Sequence, residues 1–238
     1  VLDVKVGQGA FMETEADAEA LANLMVEIGR SVGRKVAAII ADMNQPLGNA
    51  VGNALEVKEA IDTLHGAGPA DFRDHCLTVA GKMVELAGKA PNLEAAKTML
   101  ARSLTDGTAW AKFVQWITAQ GGDRAVLDDP GLLPQAPLVE TVPAPRSGFI
   151  AAIDAAEVGK TGVMLGAGRT KKGDPIDYSV GIVHHAKVGD EVAQGTPLLT
   201  IHANSSDTLA AARERLLAAI TWSETAVTPP PHIRKIIG

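Results

Sequence analysis

The chain has very little sulfur chemistry and very little aromatic surface. Its one cysteine is Cys76, and its aromatics are three Trp, four Phe and one Tyr among 238 residues. A single cysteine excludes an internal disulfide and fits a reducing, cytoplasmic setting. Scarce aromatics remove the stacking platforms that single-stranded nucleic acid needs. A net charge of −6 likewise removes the electrostatic footprint for a duplex. No apolar run approaches the roughly 20 residues that span a bilayer, so no membrane association is expected.

What is abundant is Ala, Gly and aliphatic residues: 46% of the chain is hydrophobic and 24 positions are Gly. That profile suits an α/β chain better than an all-β sandwich, with room for one large domain or two modest ones. In the opening VLDVKV, Leu2, Val4 and Val6 alternate with Asp3 and Lys5, the period of a half-buried strand. The run starts without a methionine or a polar lead-in, so we expect a fragment whose strand is already under way. Thr14 with Asp17 three residues later gives an N-cap for a helix with a stripe at Ala18, Leu21, Met25, Ile28 and Val32, and Gly33 stops it. KVAAIIA then reads as a buried parallel strand. Strand, helix and strand form a βαβ unit, and in open α/β sheets ligands bind at the loops after the strands.

A helix is predicted over 53–64, with Ala54, Val57, Ile61 and Leu64 inward and Glu56 as an acid near its N-terminus. Glu59 lies opposite that stripe, and the pattern alone favours an ordinary solvated glutamate. Further helices fit 70–88, 92–104 and 108–119. Prolines crowd 128–145, which reads as a linker or wrapping segment. Beyond it, SGFIAAID, GVMLGAG, PIDYSVGIVHHAKVGDEV and TPLLTIHA read as short strands, followed by a helix over 206–221. The expected organisation is part of a parallel-sheet α/β domain with packed helices over 1–127, a Pro-rich linker over 128–145, and a small α+β domain over 146–238.

Lys5, beside the glycines of KVGQGAF, could approach phosphate; the alternative is a structural pairing with Asp3 or Asp42. Asp42, at a strand end, either serves a ligand or organises the MNQPLG loop as an acceptor. The basic loop GAGRTKKGD is expected to be solvated surface. His184 and His185 are adjacent in a strand and point to opposite faces, so they cannot pair on one metal. His65, His75, His202 and His232 have no metal-ligand spacing, and Cys76 is expected to be a buried helix thiol.

The strings DVKVGQGAF, ADMNQPLGNAVGNALEVKEAI and GAGP, then LGAGRTKKGDPIDYSVGI and VGDEVAQGTPLLTIHA, closely resemble thymidine and pyrimidine-nucleoside phosphorylases, in order and over essentially the whole chain. Ala41 departs from relatives that often carry a hydroxyl residue before Asp-Met. The resemblance implies a homodimeric cytoplasmic pentosyltransferase whose C-terminal part is a barrel-sandwich hybrid. It implies phosphate as co-substrate for the reversible phosphorolysis of thymidine- or uridine-type nucleosides, and no organic cofactor. It also implies a potassium-like monovalent cation, which by string matching falls on the carbonyls of Leu47 and Ala50 and the carboxylate of Glu59; hard oxygen ligands suit such an ion. The family's Lys-His-Ser-Thr-Gly-Gly phosphate loop, and the Arg, Ser and Lys that grip the base, are absent from these residues. No catalytic residue is therefore assigned within the chain, and the chain on its own is expected to be inactive.

Two other classes compete. KVGDEVAQGTPLLTIHA also resembles a hairpin of biotinyl and lipoyl carrier domains, but the following turn, NSSDT, offers no lysine for attachment. A phosphoribosyltransferase of related fold would need a magnesium-binding acidic pair where this chain has Asp3-Val4-Lys5.

Overall fold

In the computed structural model, which describes residues 1–238, the alternating opening segment forms strand β1 (Leu2–Val6). It pairs in parallel with β2 (Ala38–Asp42), with Leu2 opposite Ala38 and Val6 opposite Asp42. The crossover is helix α1 (Glu15–Ser31), capped by the Thr14 side chain accepting from the Asp17 N–H at 3.2 Å. The buried face of α1 is Ala18, Ala22 and Val26, whereas Leu24, Ile28 and Val32 are exposed. Of the expected stripe, Ala18 and Leu21 face the core, while Ile28 and Val32 do not. Alanine methyls let the helix axis lie close to Val4, Val6 and Ile40, and larger residues at those positions would hold it off.

The chain divides into two compact units, each discontinuous in sequence. The first consists of Val1–Met43, Ile61–Arg124 and Pro230–Gly238; the second of Asn44–Ala60 and Ala125–Pro229. This partition does not follow the boundaries at 127 and 146 expected from the sequence. Two strands account for the difference. Strand β3 (Ala50–Val51), which leads into helix α2 (Asn53–Leu64), pairs with β6 (Gly181–His184) in the second unit. The C-terminal strand β10 (Ile233–Ile237) pairs antiparallel with β2 in the first. The remaining helices of the first unit are α3 (Ala70–Leu86), α4 (Leu93–Thr105) and α5 (Thr108–Ala119). Cys76 is exposed on α3, contrary to the expected buried thiol; the inward residues of that helix are His75, Thr78 and Gly81.

The segment expected to be a linker carries structure in the second unit. Helix α6 (Ala125–Asp128) and a 3₁₀ turn over Pro130–Leu132 precede strand β4 (Leu138–Pro143). Strand β5 (Gly148–Ile153) follows. GVMLGAG, expected as a strand, largely belongs to helix α7 (Ala155–Leu165), whose N-cap Asp154 accepts from the Glu157 N–H at 2.9 Å. After β6 come β7 (Glu191–Val192), β8 (Pro197–Ala203), helix α8 (Ser206–Ala218) and β9 (Ile220–Ser223). The strands form two antiparallel sheets in the orders β3-β6-β8-β4 and β7-β5-β9. Both contribute to one core, in which Ile150, Ile182, Leu199, Ile201 and Leu216 are fully buried. β4 lies at a sheet edge, the position that tolerates Pro143 in a strand. No helix is long and apolar enough to cross a membrane.

Candidate functional site

The expected site residues fall into two clusters, one in each unit. In the first unit, Asp3 and Lys5 lie on one face of β1 because strand residues two apart share a face. Lys5 Nζ donates to Asp3 Oδ2 at 2.8 Å and lies 3.2 Å from His75 Nε2. His75 Nε2 is 2.7 Å from the same Asp3 oxygen, and its Nδ1 is 2.9 Å from Nε2 of His232. Asp42, buried at the end of β2, accepts from Arg234 at 2.7 Å. Lys5 and Asp42 thus sit on neighbouring strands, each with a partner of its own.

Electrostatics in this cluster follow from its half-burial. Burial works to raise the Asp3 carboxyl, but hydrogen bonds from His75 and Lys5, with their charges, outweigh it and hold the group below its usual range. His232 is pushed down to about 4, first by burial and then by the positive charges at His75 and Lys5. Asp71 and Asp42 oppose that shift without cancelling it. At neutral pH the cluster therefore holds an ionised Asp3 carboxylate and a neutral His232.

In the second unit the QPLG loop is held from both sides. Glu59, on α2, folds back over the loop, and its Oε1 accepts from the N–H groups of Asn49 and Ala50 at 2.8 and 2.9 Å. Glu56, one turn earlier, accepts from the Gly52 N–H at 2.9 Å, the reciprocal half of a helix cap. Gly48 has φ of +70°, and a Cβ there would lie 2.2 Å from Glu59 Oε2. Any side chain at 48 would strain the backbone and displace the carboxylate from its two donors. The loop composition thus answers to Glu59: small, permissive residues let a carboxylate lie against the main chain. Glu59 lies against the main chain of residues 49 and 50, on the segment that also carries Leu47.

On the other side stands a residue that the sequence pattern did not single out. Lys187, beyond the end of β6, donates through Nζ to the carbonyls of Pro46 and Gly48, the latter at 2.6 Å. The Val188 N–H donates to the Gln45 side-chain oxygen at 3.0 Å, and the His184 N–H donates to the Asn49 carbonyl at 2.8 Å. His184 itself is buried and His185 exposed, as strand alternation requires. Neither imidazole nitrogen of His184 has a hydrogen-bond partner, and burial first, then the Lys187 and His185 charges, lower its pKa to about 4.

Comparison with known proteins identifies both parts of the chain. Residues 1–110 match the model of the glycosyl transferase family a/b domain, and residues 149–223 match the pyrimidine nucleoside phosphorylase C-terminal domain. Pyrimidine-nucleoside phosphorylases of Staphylococcus aureus strains USA300 and COL are each 49% identical to it over 237 residues, covering 100% of this chain and 54% of the relative. Along its whole length the chain is similar to pyrimidine-nucleoside phosphorylases. It spans about half the length of the curated relatives it matches.

Lys187, His75, His232 and Arg234 contact the candidate residues or the loop that carries them, and their sequence spacing assigned none of them to a site. Local spacing could not have found them. His75 meets Asp3 across 72 positions and His232 across 157, and Lys187 reaches its carbonyls across 139 or more.

Proposed function

We propose that this chain contributes to the reversible phosphorolysis of a pyrimidine nucleoside. Phosphate attacks the anomeric carbon, the glycosidic bond breaks, and free base and pentose 1-phosphate are formed. The observation that carries the reading is the 49% identity to pyrimidine-nucleoside phosphorylases across the whole chain. The two domain matches occur in matching order, which supports it further. Such a reaction needs an anion cradle, an environment for an oxocarbenium-like transition state, and donors for the departing base. Lys5 and Asp42, at the ends of the parallel strand pair, are our substrate-proximal candidates, as the position of ligands at strand carboxyl ends suggests. A homodimeric, cytoplasmic enzyme belongs to the same reading, with 1–127 and 146–238 as segments defined by the two family matches that fall within them, distinct from the compact units.

Because the phosphate loop and base-gripping residues of the family are not among these residues, the 238-residue chain on its own is expected to release no thymine or uracil from thymidine or uridine. Co-expression with the part of a Staphylococcus aureus relative that the chain does not match should restore phosphate-dependent release, measured by chromatography of the free base. Release by the chain alone would overturn the expected inactivity. A soluble co-purified pair that releases no base would count against phosphorolysis itself.

We place a monovalent, potassium-like cation at the carbonyls of Leu47 and Ala50 and the carboxylate of Glu59. The donor set fits: oxygen ligands with one formal negative charge suit a hard, singly charged ion, and Glu59 lies on the segment that carries both carbonyls. Bound there, the ion would neutralise Glu59 and tie α2 to the loop. Potassium should raise the melting temperature of the chain relative to tetramethylammonium at equal ionic strength, and the response should vanish in Glu59→Gln.

A further inference from the structure

We infer that Lys187 is a positioning residue, a tethered ammonium that holds the QPLG loop in shape by binding two of its main-chain carbonyls. The inference rests on geometry within the second unit. An ammonium has three N–H donors and no acceptor, and Lys187 directs Nζ at the carbonyls of Pro46 and Gly48. Both bonds are charge-assisted, the stronger class of hydrogen bond, and both are half-shielded from water.

The base of the side chain is fixed as firmly as its tip. The Lys187 N–H donates to Asp190 Oδ2 at 2.8 Å, and the Asp190 N–H returns to the Lys187 carbonyl at 3.0 Å. Asp190 is in turn anchored to β5, its carbonyl accepting from the Ile150 N–H at 3.0 Å. Asp190 therefore turns the chain tightly at 187–190 and presents the lysine stem toward the loop. A long, flexible side chain is costly to order, and this backbone clamp lowers the cost at its root.

The loop carbonyls are consequently divided between two kinds of positive charge. Lys187 takes residues 46 and 48, and the proposed monovalent ion would take 47 and 50. The lysine is covalently attached, so its share of the loop order does not depend on salt composition. Glu59 depends on that order as well. Its two N–H donors belong to Asn49 and Ala50, immediately after the Gly48 carbonyl that Lys187 grips. The role of Lys187 is thus to keep the loop closed on Glu59 and to hold the start of α2 in register with β6. It stands whether or not the chain takes part in phosphorolysis.

Chemical rescue tests it directly. Lys187→Ala removes three methylenes and the ammonium, a piece that n-propylammonium supplies. The variant should melt about 8 °C below the unaltered chain. In tens of millimolar n-propylammonium chloride it should recover at least half of that loss. Tetramethylammonium chloride, which has the charge but no N–H donor, should give no recovery. A variant that melts with the unaltered chain, or that responds equally to both salts, overturns the proposal. Should Lys187→Ala not fold, Lys187→Met keeps the volume of the stem, and an unchanged melting temperature there overturns it equally. The unaltered chain supplies a third readout by reductive methylation and mass spectrometry. Lys187 should react at least about tenfold more slowly than the exposed Lys171 and Lys172, and equal rates would sink the assignment. The potassium response of the unaltered chain reports the proposed ion and the propylammonium response reports Lys187, so either can fail alone.

Discussion

Gly181→Ala is expected to destabilise the second unit by about 4 kcal/mol, a large share of the stability of an ordinary domain. A Cβ at 181 would lie 2.3 Å from the Val51 carbonyl oxygen and 2.9 Å from Leu55 Cδ1, with the Gly52 Cα at 3.0 Å. The reciprocal position is equally closed, since a Cβ on Gly52 would lie 2.5 Å from the Val180 carbonyl and 2.9 Å from the Gly181 Cα. Main chain faces main chain here, and no rotamer change can relieve the overlap. Relief requires β3 to move off β6, which would break the Ala50–Val183 and Val51–Ile182 pairings. It would also pull the QPLG loop away from the His184 N–H and the Lys187 ammonium. Gly159→Ala is the control: it lies on the exposed side of α7 with nothing within 4 Å of its Cβ, and should be neutral or stabilising by up to about 1 kcal/mol. Urea unfolding of the two variants separates these outcomes. A Gly181→Ala chain within about 1 kcal/mol of the parent would mean that β3 and β6 do not approach in this way.

The same pair of glycines marks where sequence reading stopped. The first strand, its helix and the Thr14 cap were legible because each is written in neighbouring residues. The αβ character and the family strings were equally plain. Helix α7 was misread as a strand because Gly162, Val163, Gly166 and Gly168 suggested β structure and breaks. Yet Asp154 and Glu157 already carried a capping signature three residues apart. Strand β4 was hidden by its prolines, which an edge strand accommodates and an inner one does not. Strand β10 could not be placed at all, because pairing with β2 joins positions nearly two hundred residues apart. The candidate sites divide along the same line. Leu47, Ala50 and Glu59 lie within one short segment, so one string names all three as candidates. Lys5 meets Asp3, the local pairing the sequence offered, but the other partners of Lys5, Asp42 and the loop carbonyls come from His75, His232, Arg234 and Lys187, and only the tertiary fold supplies them.

His184 gives the second large effect, and its sign follows from burial. The imidazole is almost wholly inaccessible, neither nitrogen has a partner, and its pKa is about 4 in the folded chain against 6.5 for an ordinary histidine. A folded-state pKa below the unfolded one means that the unfolded chain binds the proton first as pH falls. The stability that the neutral ring carries is therefore complete above pH 6.5 and drains away on acidification toward pH 4, by about 3 kcal/mol in all. His232, also near 4, titrates over the same window in the first unit, so total acid lability is not diagnostic. The difference between the parent chain and His184→Met isolates the buried ring, since methionine has similar bulk and takes no proton. At neutral pH the variant should match or exceed the parent, because an unsatisfied imidazole is replaced by an apolar group. By pH 4.5 it should be the more stable by about 2–3 kcal/mol. Parallel stability curves for the two chains between pH 7 and pH 4.5 would show that His184 finds a partner, or reaches water, that the fold described here denies it.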